Sequence, residues 1–599
     1  MKKNYINISV LLLFLFCSSA QMLASDLALG PGERENEFIH NGIAYGIRIN
    51  SPQEAIVIGI LRDIRHIRNL IIPSTASSYS VVGIHRIATW YNHGRQLDSI
   101  FLPNSIRLIG ERAFSGLSNL RYIDMPDSIT EIRNFAFEGT RINSVFIPRS
   151  LTDIAPMAFV GMSNLEFFQV DSLNPAFTAV DGILFDKSGT TLIAYPPART
   201  TDLLRIPYGV THIAIGAFYG FKQDSLYIPD NVIYIGANAF QSSNLTNIVI
   251  PYGVTRINEE TFARSKISSI IIPSSVTSIG SWAFQSTNLI DVVIPAGVTS
   301  IGNAAFDRCH NLISISIPES VTSIGATAFS GTRNLKSVIL PNNLKRIESS
   351  TFRNSGLTSI TIPESVVSIG NGAFAGSRNL RSVYIPESVT KIGFDAFRNC
   401  ISLDTIQISG NVTIMPYAFH NTKWYNSQKD GLVFLGTALY EYKEEPFYTG
   451  ICRRTNEIVT KRMRRRTKIE IPEGIFAIGS RAFVGCIGLV NITLPESLGY
   501  IGMMPFSWTS LRTIDIPENV HIIHNDSFIA CSLRSINVHW QDPSSLIVLD
   551  FFGRETTDRR IRVCKPNRHS VRLIVPRGTK EIYQQSGMWD EFEIVERRR

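Results

Sequence analysis

The chain has 599 residues, 44% of them hydrophobic and 18% charged, and carries a formal net charge of +8. That apolar content excludes a disordered chain, and so mild a charge over this length is no argument for nucleic-acid binding. The N-terminus reads Met-Lys-Lys, a polar step, Val10-Leu-Leu-Leu-Phe-Leu-Phe16 and then small residues, with Ser18-Ser-Ala20 or the Ala24/Ser25 step as cleavage sites. This is the pattern of a secretory signal, with an apolar run too short to span a bilayer. Cys17 follows the bulky Phe16, which favours a plain secretory signal over a lipoprotein one. No later segment is long and apolar enough for a membrane helix, so the expected product is exported, and either secreted or held at the cell surface, the outer membrane included.

Residues 36–72 hold two β-rich runs around turn residues, Asn41-Gly42-Ile-Ala-Tyr-Gly-Ile and Ala55-Ile-Val-Ile-Gly-Ile60. They predict a hairpin that caps the first exposed edge of a strand array downstream. From Pro73 onward a single unit recurs. Its anchors fall at Pro103, Pro126 and Pro148, then at Pro207, Pro229, Pro251, Pro273, Pro295, Pro318, Pro341, Pro363 and Pro386, with Ser409 in the next register, and again at Pro472, Pro495 and Pro517. A fixed step of 22 or 23 residues predicts a β-rich solenoid, in which each unit buries its apolar face only against its neighbours. Two interruptions look alike. Asp181-Gly-Ile-Leu-Phe185 leads to Thr191-Leu-Ile-Ala-Tyr195, and Asp430-Gly-Leu-Val-Phe434 leads to Leu439-Tyr440. Each reads as a hairpin projecting from the array. The tail, Leu573-Ile-Val-Pro-Arg-Gly578, a short helix over Thr579–Ser586 and then Trp589 and Phe592, reads as a C-terminal cap. The expected divisions are a signal peptide (1–24), an N-terminal hairpin cap (25–72), a first repeat block (73–170), a hairpin insert (171–206), the main block (207–419), a second insert (420–471), a last block (472–539) and the terminal cap (540–599).

Within the unit at Pro318, Val338-x-Leu340 has period two, so those side chains face inward and Ile339 faces out. Pro341 has no N–H to donate and ends the strand. Two residues past the anchor, sixteen regular units carry only Ser, Gly or Asn, which fits a type I turn with Pro at its second position and the small residue at its fourth. The Ala328-Phe329 pair, after Ile-Gly-x-x, reads as a short 3₁₀ or helical corner that plugs the core. Cys309, Cys400, Cys486 and Cys531 share one repeat column. Their neighbours one unit away, such as Thr332 and Thr509, are not cysteines, so buried thiols filling a slot explain them better than a disulfide ladder.

The pattern Leu-x-x-Ile-x-Ile-Pro…Val-Thr-x-Ile-Gly-x-x-Ala-Phe resembles the Treponema-type leucine-rich repeat of the BspA-like family. The likeness extends to both inserts and the tail. It implies a leucine-rich-repeat solenoid with a parallel strand ladder, in a bacterial, exported, surface-associated protein. The better-known members of that family are adhesins that bind host matrix proteins or other bacteria. The family has no universal catalytic or ligand motif, so the resemblance brings no site residues with it.

No catalytic, metal or cofactor motif stands out. His521-Ile-Ile-His524 is the sole close histidine pair, on an extended stretch, and no third ligand completes it. Two solvated repeat variants are the plainer account. A carbohydrate-directed enzyme would need a carboxylate pair in a cleft, and the repeat supplies no evident cleft. Two surfaces remain. The outward strand column, two residues before each anchor, includes Tyr227, Val249, Ile271, Val293, Ile339 and Tyr384, beside a small, polar column two residues earlier. It suits protein docking, although β-branched residues also simply suit a strand ladder. The second insert carries Arg453, Arg454, Lys461, Arg462, Arg464, Arg465, Arg466 and Lys468. Those cations would attract a sulfated glycan or an acidic surface by charge, while a solvated loop is the plainer account. Nucleic acid is a poor fit, since interleaved aromatics are lacking. The expected function is non-enzymatic recognition of matrix proteins or other cells. A structural envelope protein without a host ligand is the alternative.

Overall fold

Most repeats build two short strands, one on either side of the proline turn. The computed structural model describes residues 34–48, 51–60, 67–85, 96–199, 206–443, 447–451, 458–461, 467–550, 555–563 and 571–598. The chain divides into two compact units, Met1–Leu289 and Ile290–Arg599.

In the first unit, Arg34–His40, Ile43–Arg48 and Ser51–Ile60 form an antiparallel meander. Its last strand pairs in parallel with Tyr79–Ile84. From there Leu108–Ile109, Glu131–Ile132 and Asp153–Ile154 continue one parallel ladder. The strands preceding the anchors form a second ladder, as where Asn69–Ile71, Ser99–Phe101 and Tyr122–Asp124 pair in turn. The residues that face inward on it are buried, as Ile100 and Leu102 are. In the second unit the same two ladders run through Ser359–Thr361, Ser382–Ile385 and Thr405–Ile408 on one side and Arg346–Ile347, Ser368–Ile369, Lys391–Ile392 and Thr413–Ile414 on the other. The expected inward and outward alternation holds at the Pro318 unit: Val338 and Leu340 are buried while Ile339 is 81% exposed.

The proline turn differs from expectation. Ile106 N–H bonds to Pro103 O, Val321 to Pro318 O and Val366 to Pro363 O. Proline is therefore the first turn residue and the Ser/Gly/Asn position is the third. That third residue is small and polar for a reason that lies one coil away. Ser128 Oγ donates to Ile106 O at 2.6 Å, Ser320 to Val298 O at 2.7 Å, Ser365 to Leu344 O at 2.7 Å and Ser388 to Val366 O at 2.9 Å. The column is a run of hydrogen bonds that satisfies a carbonyl of the preceding coil.

The corner is a series of tight turns whose amides alternate in destination. Ala328 and Ser330 N–H bond three residues back, to Gly325 and Thr327, whereas Thr327, Phe329 and Gly331 N–H bond forward to Ser349, Thr351 and Arg353 of the next coil. To aim the amides this way, the residue before Ala-Phe and the second residue after it take left-handed backbone. Examples are Thr327 (φ 58°), Gly331 (73°), Arg112 (53°) and Gly116 (79°). Between them the phenylalanines stack. In the second unit Phe306, Phe329, Phe352, Phe374, Phe397 and Phe419 lie 5.0–5.5 Å apart, ring to ring, within 13° of parallel. Each of these rings is fully buried, so the spine supplies both apolar burial and offset aromatic contact. The cysteine column lies just beyond. Cys309, Cys400, Cys486 and Cys531 are buried, and Thr332, in the same column, caps its own corner by donating to Phe329 O at 2.7 Å.

The inserts are spliced into the ladders instead of projecting from them. Phe177–Val180, Ile183–Asp186 and Thr191–Ala194 form an antiparallel meander whose last strand pairs in parallel with His212–Ile213 of the next repeat. In the second unit, Gly431–Leu435 pairs antiparallel with Ala438–Lys443, which pairs in parallel with Ala477–Ile478. A helix, Lys423–Ser427, which repeat periodicity does not reveal, precedes it and is capped by Thr422 Oγ1, which accepts Tyr425 N–H at 3.0 Å. At the C-terminus Val571–Val575 extends the ladder from Ser535–Val538, and Phe592–Glu596 adds the final strand. Helix Lys580–Gln585 closes this end over buried Tyr583, Met588 and Trp589, and Tyr583 Oη donates to Trp540 O at 2.8 Å.

Candidate binding surfaces

Period-two strands tied down by buried neighbours leave the intervening side chain exposed, and this places the outward column. In the first unit Tyr227, Val249 and Ile271 are 62%, 61% and 63% exposed. Val249 and Ile271 are paired directly across the ladder. In the second unit Val293, Ile339 and Tyr384 are also exposed, but hydroxyl residues separate them. Val293 pairs with Ser316, and Tyr384 with Thr361 and Gln407. Of the six candidates, therefore, the first unit gathers its three into consecutive repeats, and the second unit spreads its three apart.

The first unit also exposes apolar residues outside that set. Tyr208 and Tyr252, each one residue past an anchor, are 78% and 72% exposed, and Tyr252 follows Val249 by three residues across the proline turn. Their spacing, Pro207-Tyr and Pro251-Tyr, is open to detection but belongs to a different column. Farther toward the N-terminus, Ile71, Phe101, Tyr122 and Phe146 are exposed, and the Phe101 and Tyr122 rings lie 5.8 Å apart. Phe146 borders a shallow groove of about 550 Å³ beside the first hairpin, lined also by Gln169, Asp171, Thr178 and Lys187. A concavity is thus present where the repeat pattern suggested none. Its lining holds one carboxylate, that of Asp171, which accepts Leu173 N–H at 2.8 Å.

In the basic insert, Phe447–Ile451 and Ile458–Lys461 form an antiparallel pair. Arg453, Arg454, Arg462, Arg464, Arg465 and Arg466 lie outside the described residues, as do Cys17, Cys452 and Cys564. Lys468 is exposed on the strand Thr467–Glu470.

The histidine pair separates. His521 is exposed, but His524 is fully buried, against the solvated position expected for it, because the second short ladder turns it into the core. Its Nδ1 accepts Asp526 N–H at 3.1 Å. Burial, outweighing the opposing pull of Asp550, lowers its pKa to about 4. Asp526 beside it is raised by burial against the pull of Arg562. Among the described residues no helix is long and apolar enough to cross a membrane.

The model of the BspA type leucine-rich repeat region, six copies long, matches residues 88–201, 199–313, 299–425 and 461–546. No curated protein matches the chain. Among solved structures it is similar to a leucine-rich repeat protein from Eubacterium ventriosum (19% identity, TM-score 0.36, 57% of this chain and 95% of that one). It is also similar to one from Bacteroides ovatus (19%, TM-score 0.27, 94% and 100%) and to the pneumococcal vaccine antigen PcpA (18%, TM-score 0.33, 63% and 99%). Leucine-rich-repeat solenoids commonly serve in protein interaction and are typically non-catalytic. With its family model covering well over half of the sequence and its coils repeating the pattern in space, the chain belongs to the BspA-type leucine-rich-repeat family.

Proposed function

We propose that this protein is an exported, non-enzymatic recognition protein that docks a protein partner, of host matrix or another cell's surface, on the outward strand face of its first unit. The observation that carries this is the exposed patch of Tyr208, Tyr227, Val249, Tyr252 and Ile271. Tyrosine supplies large contact area at small entropic expense and is enriched where proteins meet. Contiguous exposed apolar surface on a soluble fold marks an interaction site. In the second unit Val293, Ile339 and Tyr384 are exposed singly and form a separate candidate face. The basic run from Arg453 to Lys468 is retained as a second candidate surface, for sulfated glycans, on charge alone.

The test uses the mature chain on immobilised matrix proteins and on whole bacterial cells. Saturable binding that falls at least about tenfold in a Tyr208→Ser/Tyr252→Ser/Ile271→Thr variant supports the proposal, since loss of two or three anchors exceeds that factor. Absence of binding to every surface would leave the structural envelope reading instead. Binding that survives the triple substitution would move the site off this face.

A further inference from the structure

The second unit carries one five-residue pattern twice, at the same place in two coils. Arg333-Asn-Leu-Lys336-Ser337 and Arg378-Asn-Leu-Arg381-Ser382 come after the stacked rings of Phe329 and Phe374, on the connection from corner to strand. The central leucines, Leu335 and Leu380, are fully buried. They fix the backbone, so that the flanking cation, amide, second cation and hydroxyl all stand in solvent. Arg333, Asn334, Lys336 and Ser337 are exposed, as are Arg378, Asn379, Arg381 and Ser382.

The coil between the two copies is one residue shorter at this point and has Gly356 there. Its backbone sits so close to the preceding coil that a Cβ there would collide with Arg333 O. Gly356 and Leu357 are buried, and Arg353 is the exposed cation of that corner. The result is a notch floored by main chain with a cation pair on each lip. Two ring-to-ring steps of 5.5 Å set the lips roughly 11 Å apart, as stacked strands require.

The charge is uncompensated on this edge. Arg333, Lys336, Arg353, Arg378 and Arg381 form no ion pair among the described residues. Three acids of the neighbouring coils are already paired: Asp307 lies 3.7 Å from Arg308, Asp395 3.3 Å from Arg398, and Asp404 2.9 Å from Lys423. Glu319, Glu364 and Glu387 belong to the opposite, proline-turn edge, each one residue past an anchor. Stability alone gives no reason to hold two unpaired cations on each lip, where like charges repel.

We infer that this edge is a binding site for a linear sulfated polysaccharide, laid along the ladder with an anionic group at each lip and the notch between them. Arginine forks and lysine ammonium groups match sulfate oxygens, and the amide and hydroxyl of each copy can donate to ring hydroxyls. No aromatic side chain lies in either copy on which a nucleobase could stack. The inference is independent of the first unit's strand-face patch and of the basic insert, since its cations belong to neither.

The experiment measures salt-dependent retention and affinity of the full mature chain for heparin, beside unsulfated hyaluronate, duplex DNA and phosphatidylglycerol vesicles. The variant is Arg333→Gln/Lys336→Gln/Arg378→Gln/Arg381→Gln. All four side chains are exposed, so an unchanged melting temperature confirms that it folds. Heparin affinity should fall on the order of tenfold, four exposed charge contacts each contributing about a factor of two, with a shallower salt dependence. A matched variant, Glu319→Gln/Glu364→Gln/Glu387→Gln, should not weaken binding. Affinity for heparin equal in the parent and the quadruple variant would overturn the inference. So would DNA or vesicle binding that exceeds heparin binding and is lost in the same variant.

Discussion

Replacing Phe352 by alanine tests what holds one coil to the next. The ring is fully buried and stacks on Phe329 and Phe374 at 5.5 Å, tilted 7° and 13° from them. Deleting a buried phenylalanine side chain costs about 3–5 kcal/mol, transfer and cavity together. Two lost ring contacts account for roughly 1–3 kcal/mol of that. Phe352→Leu keeps most of the volume and forfeits mainly the ring contacts, so it should lose about 1–3 kcal/mol. In a linear array the loss falls on the interfaces of a single coil. Chemical denaturation should therefore show an early transition, and limited proteolysis should open near that coil before the rest. Ile339→Ala, at an 81% exposed site, is the control and should stay within about 0.5 kcal/mol. If Phe352→Ala cost no more than Ile339→Ala, the spine would not be the element that couples the coils.

Three further outcomes are expected. An unfolded histidine titrates near about 6.5 and buried His524 near about 4, so in that window the unfolded chain holds a proton that the folded chain lacks. Stability should therefore fall by about 3 kcal/mol as pH drops from about 6.5 to about 4, partly opposed by Asp526. Denaturation midpoints of His524→Gln should fall less over that range, and parallel curves would refute the assignment. Gly116 has φ 79° and no atom within 4 Å of where a Cβ would sit, so Gly116→Ala isolates the left-handed backbone penalty. It should cost about 1 kcal/mol in a thermal melt. The Cys400 thiol, pushed up to about 12 by burial, should resist iodoacetamide in the folded protein and react after denaturation; native labelling at the rate of an exposed thiol would contradict its burial.

What could be read from the sequence was whatever a repeat does by itself. The anchors, the inward Val338 and Leu340, the outward Ile339 and the strand, helix and aromatic order of the tail all come from local periodicity. What escaped depends on a neighbouring coil. Ser365 looks like a turn residue until its acceptor, Leu344 O, is seen 21 residues back. The left-handed Thr327 makes sense only because its amide bonds to Ser349 of the next coil. His524 looks solvated because the second ladder, usually two residues per repeat, here runs one residue longer over Ile522–His524 and turns it inward. On the surface, exposure of the strand column was legible, but the clustering that distinguishes Val249 and Ile271 from Val293 comes from which residue pairs beside each.

The splicing of the first hairpin has a practical consequence for anyone trimming this protein. Thr191–Ala194 is a rung of the ladder, bonded onward to His212–Ile213, and it buries Leu192. The hairpin is therefore not a removable decoration. Excising 177–194 would delete that rung and bare the edge of His212–Ile213, so a shortened scaffold is better cut at the proline turns, where a complete coil can be removed.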